Sequence, residues 1–461
     1  MARMTIGPVI GKTTATATRV LVEADGNADV VCELAAHALP TVRQTRPLRK
    51  GRPSVFSFSG LQPETLYTLN FSGISEPRPG SVRTYAVEAT SLNVAVVSCN
   101  NTPRRGDTDL WRDLFHRYVA TGDLDLVLHV GDQVYGDRAF EGALRILGAR
   151  ASAAGGVQAS AVEKRRILEL YRKLYFWAWN HPPTRDVLAN APSLMIWDDH
   201  EIRDDWGSRN EDGVPGTPEY VIGSLARRVY REYQRQLWDD FDTDVDAPAG
   251  ELEHHQHVWG PIGVLFVDQR GARSFNRDVT RPFLGTSQWL EITNSLEQGL
   301  LSRVRALIVV TSVPLAYLGT TSTSAGSAVV DDLKDHWSFA PHQKEQIEML
   351  RALRRWKEAA TDRELLVVGG DVHIGGETEV RHEGKGIFRQ LISSAITNQA
   401  PPLLAYAVIR LLLEGEESLG GSYSFEHSNF TSKRNFGIVL VRVPGPGQRP
   451  RVAGTLSRAG G

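Results

Sequence analysis

Five segments of this chain end in residue types that bind metal ions or move protons. The clearest is Val127-Leu128-His129-Val130-Gly131-Asp132-Gln133-Val134-Tyr135. A buried strand that stops at Gly-Asp lets the backbone turn and presents a carboxylate from its carboxyl end. Asp132 has two oxygens with which to bridge two ions, and Tyr135 as a phenolate suits a hard trivalent ion; a helix-capping Asp is the plainer alternative. Leu365-Leu366-Val367-Val368-Gly369-Gly370-Asp371-Val372-His373 repeats the design. Its Asp371 and His373, two apart on a turning loop, can reach different ions. Val96-Val97-Ser98-Cys99-Asn100-Asn101 places a thiol at another strand end. As thiolate, Cys99 would bind ferric iron or zinc; alone it reads more readily as a small buried hydrophobe, and the other motifs beside it reverse that.

Two further segments supply chemistry rather than a clear ligand. In Leu194-Met195-Ile196-Trp197-Asp198-Asp199-His200-Glu201-Ile202-Arg203-Asp204-Asp205 a crowd of carboxylates follows an apolar strand. His200, titrating near neutrality, suits protonation of a leaving alkoxide. In Val264-Leu265-Phe266-Val267-Asp268-Gln269-Arg270 the Arg270 guanidinium could grip phosphate oxygens in bidentate fashion, or pair with Asp268. Together these strand ends imply a dinuclear metal centre.

The elements that must position them divide the chain. Residues 1–88 read as an all-β domain of short Thr/Val-rich strands broken by Asp25-Gly26-Asn27, Pro40 and Gly51. Leu61-Gln62-Pro63-Glu64-Thr65-Leu66-Tyr67 resembles the tyrosine corner of a fibronectin type III domain. No chemistry is visible there, and the sequence suggests an appended module. From Leu92 the pattern changes to continuously apolar strands alternating with helical segments, which argues for a layered α/β domain over 92–443. Helical insertions are expected at about 139–190 and 219–241, walling the site. The Pro/Gly-rich end, 444–461, is expected to be flexible.

Composition sets limits. The 461 residues suffice for two domains with sizeable cores. A net charge of −2 provides no electrostatic footprint for nucleic acid or an anionic membrane. No apolar run reaches the roughly 18 residues of a membrane span, and Met1 to Pro8 lacks a secretory signal core, so a cytoplasmic address is expected. Cys32 and Cys99 are the only two cysteines, too few for a disulfide framework. Cys32, in an alternating segment, reads as a core thiol.

The motif set resembles the PhoD-like phosphatases, a branch of the calcineurin-like metallophosphoesterases, over about residues 92 to 443. The resemblance implies a four-layer α/β/β/α metallophosphoesterase sandwich behind an N-terminal fibronectin type III-like β-sandwich. It implies ferric iron held by Cys99, Asp132, Tyr135 and His373. Asp132 and Asp371 would face a second divalent ion, calcium first, with zinc, manganese or magnesium as alternatives. The wider superfamily's Asn-His pair maps onto Asp199 as ligand and His200 as acid. Relatives often carry an Asn where this chain has Asp204 and Asp205, so either could replace Asp199 as the ligand. Asp371 stands where the GHxH ending of the wider superfamily would be, which argues against an ordinary purple acid phosphatase. Gln288-Trp289-Leu290 also fits the family pattern.

The expected activity is hydrolysis of a phosphoester, mono- or diester, by a metal-activated hydroxide, with Arg270 holding the phosphate and His200 protonating the leaving group. A non-catalytic binding protein with a structural metal site, and a glycosidase using Asp198 and Asp205, are the competing readings.

Overall fold

The computed structural model describes residues 1–101, 109–148, 156–246, 251–273, 283–319, 335–398 and 415–460. The N-terminal strands are β1 (Met4–Thr13), β2 (Ala17–Ala24), β3 (Ala28–Ala35), β4 (Val42–Leu48), β5 (Ser54–Ser59), β6 (Leu66–Ser72) and β7 (Ser81–Arg83). They form a β1-β2-β5 sheet and a β4-β3-β6-β7 sheet. Alternate residues such as Ile10, Val20 and Val22 from one sheet, and Val30, Leu34 and Leu69 from the other, share one apolar core. Cys32 lies in that core, and burial pushes its thiol above its ordinary pKa. The Tyr67 hydroxyl accepts a hydrogen bond from the Gln62 amide at 2.9 Å, fixing the turn into β6.

The rest of the described chain builds two sheets. The first contains β8 (Ser91–Val97), β9 (Leu126–Val130), β10 (Ser193–Ile196), β19 (Asn435–Arg442) and β20 (Arg451–Arg458), ordered β10-β9-β8-β19-β20. The second contains β11 (His255–Trp259), β12 (Ile262–Val267), β13 (Ala306–Thr311), β14 (Glu364–Gly369), β15 (Gly375–His382), β16 (Lys385–Ile392), β17 (Glu416–Gly420) and β18 (Tyr423–Thr431), ordered β11-β12-β13-β14-β16-β15-β18-β17. Pairing is parallel within β10-β9-β8 and within β12-β13-β14-β16.

Both faces of these parallel strands are buried, which is why they read as unbroken apolar runs. Val94, Val96, Leu128 and Val130 meet Val264, Phe266, Ile308 and Val368 in one shared core between the sheets. The other face of the first sheet, with Ala95, Val97 and Val127, packs on Trp111 and Leu114 of α1 (Trp111–Leu114). The other face of the second, with Val267, Val309 and Val367, packs on α7 (Thr286–Glu297) and α8 (Gln343–Glu358) through Ile292, Leu296, Leu350 and Trp356. Each fully buried Val or Leu contributes about 1.5–3 kcal/mol, so this packing fixes the strand ends as a rigid platform.

Helices in these parts of the chain are α2 (Asp137–Leu147), α3 (Ala161–Asn180) and α4 (Pro182–Leu188), then α5 (Asn210–Gly213) and α6 (Pro218–Tyr233). A Ser160–Glu163 capping box starts α3. The Ala149–Ala154 stretch lies outside the described residues. No helix among the described residues is long and apolar enough to cross a membrane.

Two expectations need correction. The end of the chain is not a flexible tail throughout: Arg451–Arg458 is β20, paired antiparallel with β19 along its whole length. Gly454 permits this, because a Cβ there would come within 3.0 Å of Leu391 and 3.2 Å of Leu366 in the second sheet. Nor is the N-terminal domain merely appended. Arg19 donates to the Gln236 carbonyl at 2.9 Å, Trp259 to the Thr13 carbonyl at 2.9 Å, and buried Glu23 accepts from Tyr233 at the end of α6.

Candidate metal centre

The chemistry-bearing residues sit just past the carboxyl ends of parallel strands β8, β9, β10 and β14. Their backbone is unusual. Cys99 (φ 54°), Asp132 (56°), Asp371 (65°) and His373 (52°) all adopt the left-handed region. That costs roughly 1–2 kcal/mol per non-glycine residue, so the surrounding structure must hold them there. Gly131 (φ 104°) makes the turn into Asp132, where a Cβ would sit 2.8 Å from Asp198. The Asn100 amide donates to the Asp132 carbonyl at 2.7 Å, the Asn398 amide to the Cys99 carbonyl at 3.2 Å, and the His373 amide to Ser394 Oγ at 2.9 Å. These bonds stitch the strand ends to one another.

The side chains then converge. Cys99 Sγ lies 3.5 Å from Asp132 Oδ2, and the Tyr135 hydroxyl is 3.4 Å from both Asp132 Oδ2 and His373 Nε2. Ligand atoms of Cys99, Asp132 and His373 all lie within 4.8 Å of one another. The same holds for Asp132, Asp199 and His200, and for Asp132, Asp198, Asp199 and Asp371. Asp132 is common to all three groups. Its Oδ1 is buried without a hydrogen-bond partner, as is Oδ2 of Asp198. A buried orphan carboxylate oxygen is expensive, and a cation satisfies it. The donor set could hold metal ions: sulfur, phenol and imidazole suit a transition metal, and an oxygen-only group suits a hard divalent ion.

The electrostatics agree. Burial raises the Cys99 thiol and the Tyr135 phenol well above their ordinary values, and raises Asp132 as well. Burial lowers His373 to about 4. Without a cation, then, the pocket drives these groups towards their uncharged forms; bound positive charge reverses that drive for thiol, phenol and carboxylate. His200 differs. Burial would lower it, but Asp199, Asp132 and Asp137 outweigh burial and hold it well above the ordinary value. Its ring lies 4.2 Å from that of Tyr135, and Nδ1 is 3.1 Å from Asp137 Oδ2.

Other expected residues take different places. The Asp204 and Asp205 carboxylates join none of the ligand groups found among the described residues. The Asp205 amide instead donates to Asp199 Oδ2 at 2.7 Å. Arg270, 1% exposed, lies beneath the Asp198–Asp199 pair. Its Nε donates to Asp198, Nη1 to Asp335 (2.7 Å) and the Trp206 carbonyl (3.0 Å), and Nη2 to Asp199 (3.5 Å). Asp268, the alternative partner, accepts from the Arg270 backbone amide (2.9 Å) and from Trp197 Nε1 (2.8 Å). Gln288, from the Gln-Trp-Leu segment, exchanges two 2.8 Å hydrogen bonds with the Asp268 backbone.

Three residues of the site carry no signal in the sequence. Asn398 places Nδ2 2.8 Å from the Tyr135 hydroxyl and 3.0 Å from His373 Nε2. Ser394 Oγ is 3.1 Å from Cys99 Sγ. Asp137 looks like an ordinary acidic residue in the first turn of a helix.

Comparisons with known proteins bear on this geometry. A family model described as PhoD-like phosphatase matches residues 94–441. A solved structure of PhoD superposes with a TM-score of 0.66 at 15% identity, covering 98% of this chain and 90% of that one. An uncharacterised protein of Saccharomyces cerevisiae is 23% identical over 356 residues, 61% of this chain. The match spans 50% of that yeast protein's length. The structural likeness establishes the α/β fold, and with the family model matching most of its length, this chain belongs to the PhoD-like phosphatase family.

Proposed function

We propose that this protein is a metal-dependent phosphoesterase with a dinuclear centre. Cys99, Asp132, Tyr135 and His373 would hold a ferric ion, and Asp132, Asp199 and Asp371 a second divalent ion, calcium first. The observation that carries this reading is Asp132: one carboxylate shared by every ligand group, with one oxygen buried and unpartnered. Two cations there would polarise the phosphoryl oxygens and lower the pKa of a shared water from about 15.7 towards roughly 7.

The protein's own groups supply the rest. His200, held at Nδ1 by Asp137, would donate its proton to the departing oxygen. The Asp137 contact at Nδ1 would leave Nε2, 3.7 Å from Asp204 Oδ1, for the proton transfer. Arg270 acts from beneath, through Asp198 and Asp199, since its nitrogens are directed to protein oxygens. The α-helix and sheet clusters support a four-layer α/β/β/α arrangement, and the Tyr67–Gln62 bond supports a fibronectin type III-like N-terminal domain.

The test is hydrolysis of a chromogenic phosphomonoester and of the matching diester. Activity should vanish on chelation and return with added metal. Activity that survives exhaustive chelation would refute the proposal, and the ratio of the two rates assigns the ester class.

A further inference from the structure

Glu201 belongs to none of the ligand groups, yet it touches both loops that carry them. It closes the short 3-10 turn Asp199–Glu201 and is 1% exposed. Its Oε1 accepts from the Gln133 amide at 2.7 Å and from Gln234 Nε2 at 2.9 Å. Its Oε2 accepts from the Asp132 amide at 3.1 Å and from the Asp198 amide at 2.7 Å. The two oxygens of a carboxylate offer about four lone-pair sites, and four N–H donors face them. Capping its own turn needs only the Asp198 amide. The other two backbone bonds cross to a loop 68 and 69 residues away in sequence.

We propose that Glu201 is a positioning residue: its carboxylate clamps the Asp132 loop to the Asp198–Asp199 loop and so sets the separation of the two cation positions. The inference rests on the reading of Asp132 as the shared ligand. Asp132 sits at a strained φ of 56°, so its amide needs a strong acceptor to stay there. Both amides of the Asp132–Gln133 pair find that acceptor in Glu201. Gln234, just past the end of α6, holds the carboxylate from behind and is itself 3.1 Å from the Tyr175 hydroxyl.

Glu201→Gln replaces one acceptor oxygen by an NH2 group that would face two N–H donors. Loss of an outer partner to a metal site typically costs about 10–100-fold in metal affinity or activity. The experiment titrates Ca2+ and Fe3+ separately into chelator-stripped protein, and measures kcat and KM of the reloaded enzyme. The expected result is about 10-fold or more weaker binding of both ions, with kcat falling and KM little changed. Tyr171→Phe removes another tie to the same segment, the 3.0 Å bond to the Ile202 carbonyl, and should leave ion affinity unaltered. If Glu201→Gln does not fold, Gln234→Met takes its place, with an expected loss of about threefold in affinity. Wild-type affinity and kcat in a folded variant, with only thermal stability reduced, would overturn the proposal. Weaker ion binding by the variant of a wild-type protein that hydrolyses no phosphoester would instead sustain Glu201's role and remove the phosphoesterase reading.

Discussion

Replacing Arg270 by Met separates two roles for that guanidinium. Methionine keeps the apolar stem and removes the charge. Arg270 is 1% exposed and lies among Asp198, Asp199 and Asp335, with Asp198 fully buried. Removing one member of a buried pair costs about 3–5 kcal/mol, because the partner charge is left uncompensated. Asp335 keeps Arg273 and Ser208, so most of the cost falls on Asp198, which retains only Ser312 Oγ at 3.0 Å. That places Arg270→Met near the lower end, about 3 kcal/mol. The assay is urea unfolding of the metal-free protein beside steady-state kinetics of the loaded enzyme. A positioning role gives a large stability loss and a fall in kcat. A stability change below about 1 kcal/mol with a dominant rise in KM would refute the burial argument and return Arg270 to substrate binding.

Two further outcomes follow from the buried polar groups. His129 is fully enclosed by Gln133 and Ser193, and burial lowers it to about 4 against 6.5 when free. The unfolded chain therefore takes up a proton first as pH falls, so this contribution is intact above about 6.5 and lost progressively towards 4. Between pH 8 and pH 5 the wild type should lose about 2 kcal/mol relative to His129→Gln; parallel unfolding curves for the two proteins across that range would contradict it. Tyr233→Phe leaves Glu23 buried with its Thr5 partner at 2.8 Å but without the phenol. It should cost about 1–3 kcal/mol and speed proteolysis of the N-terminal sheets. An unchanged proteolysis rate would show that the contact does not hold the two domains together.

Much of the site was legible because the parallel strands are buried on both faces. Their apolar runs stand out, and so do the Gly-Asp breaks that end them at Asp132 and Asp371. The α/β architecture follows from the same runs. What stayed hidden depends on topology. Nothing near Arg270 in the chain indicates Asp335, because the two lie 65 residues apart. Asn398 and Ser394 follow β16 in an unremarkable Ser/Thr/Asn stretch, and matter only because β16 lies beside β14. β20 is hard to read because a partly exposed edge strand needs few apolar residues, and it carries a glycine where it nears the second sheet. The docking of the N-terminal domain is hidden for a similar reason: the partners of Arg19 and Glu23, Gln236 and Tyr233, lie more than 200 residues away.

Metal counting of the as-purified protein and its Asp132→Asn variant probes the shared carboxylate most directly. Two ions per wild-type chain are expected, iron among them with a visible absorption band, and both should be lost or strongly depleted in the variant. An Asp132→Asn protein that keeps both ions, or a wild type that turns over phosphoester with neither, would contradict a centre built around Asp132.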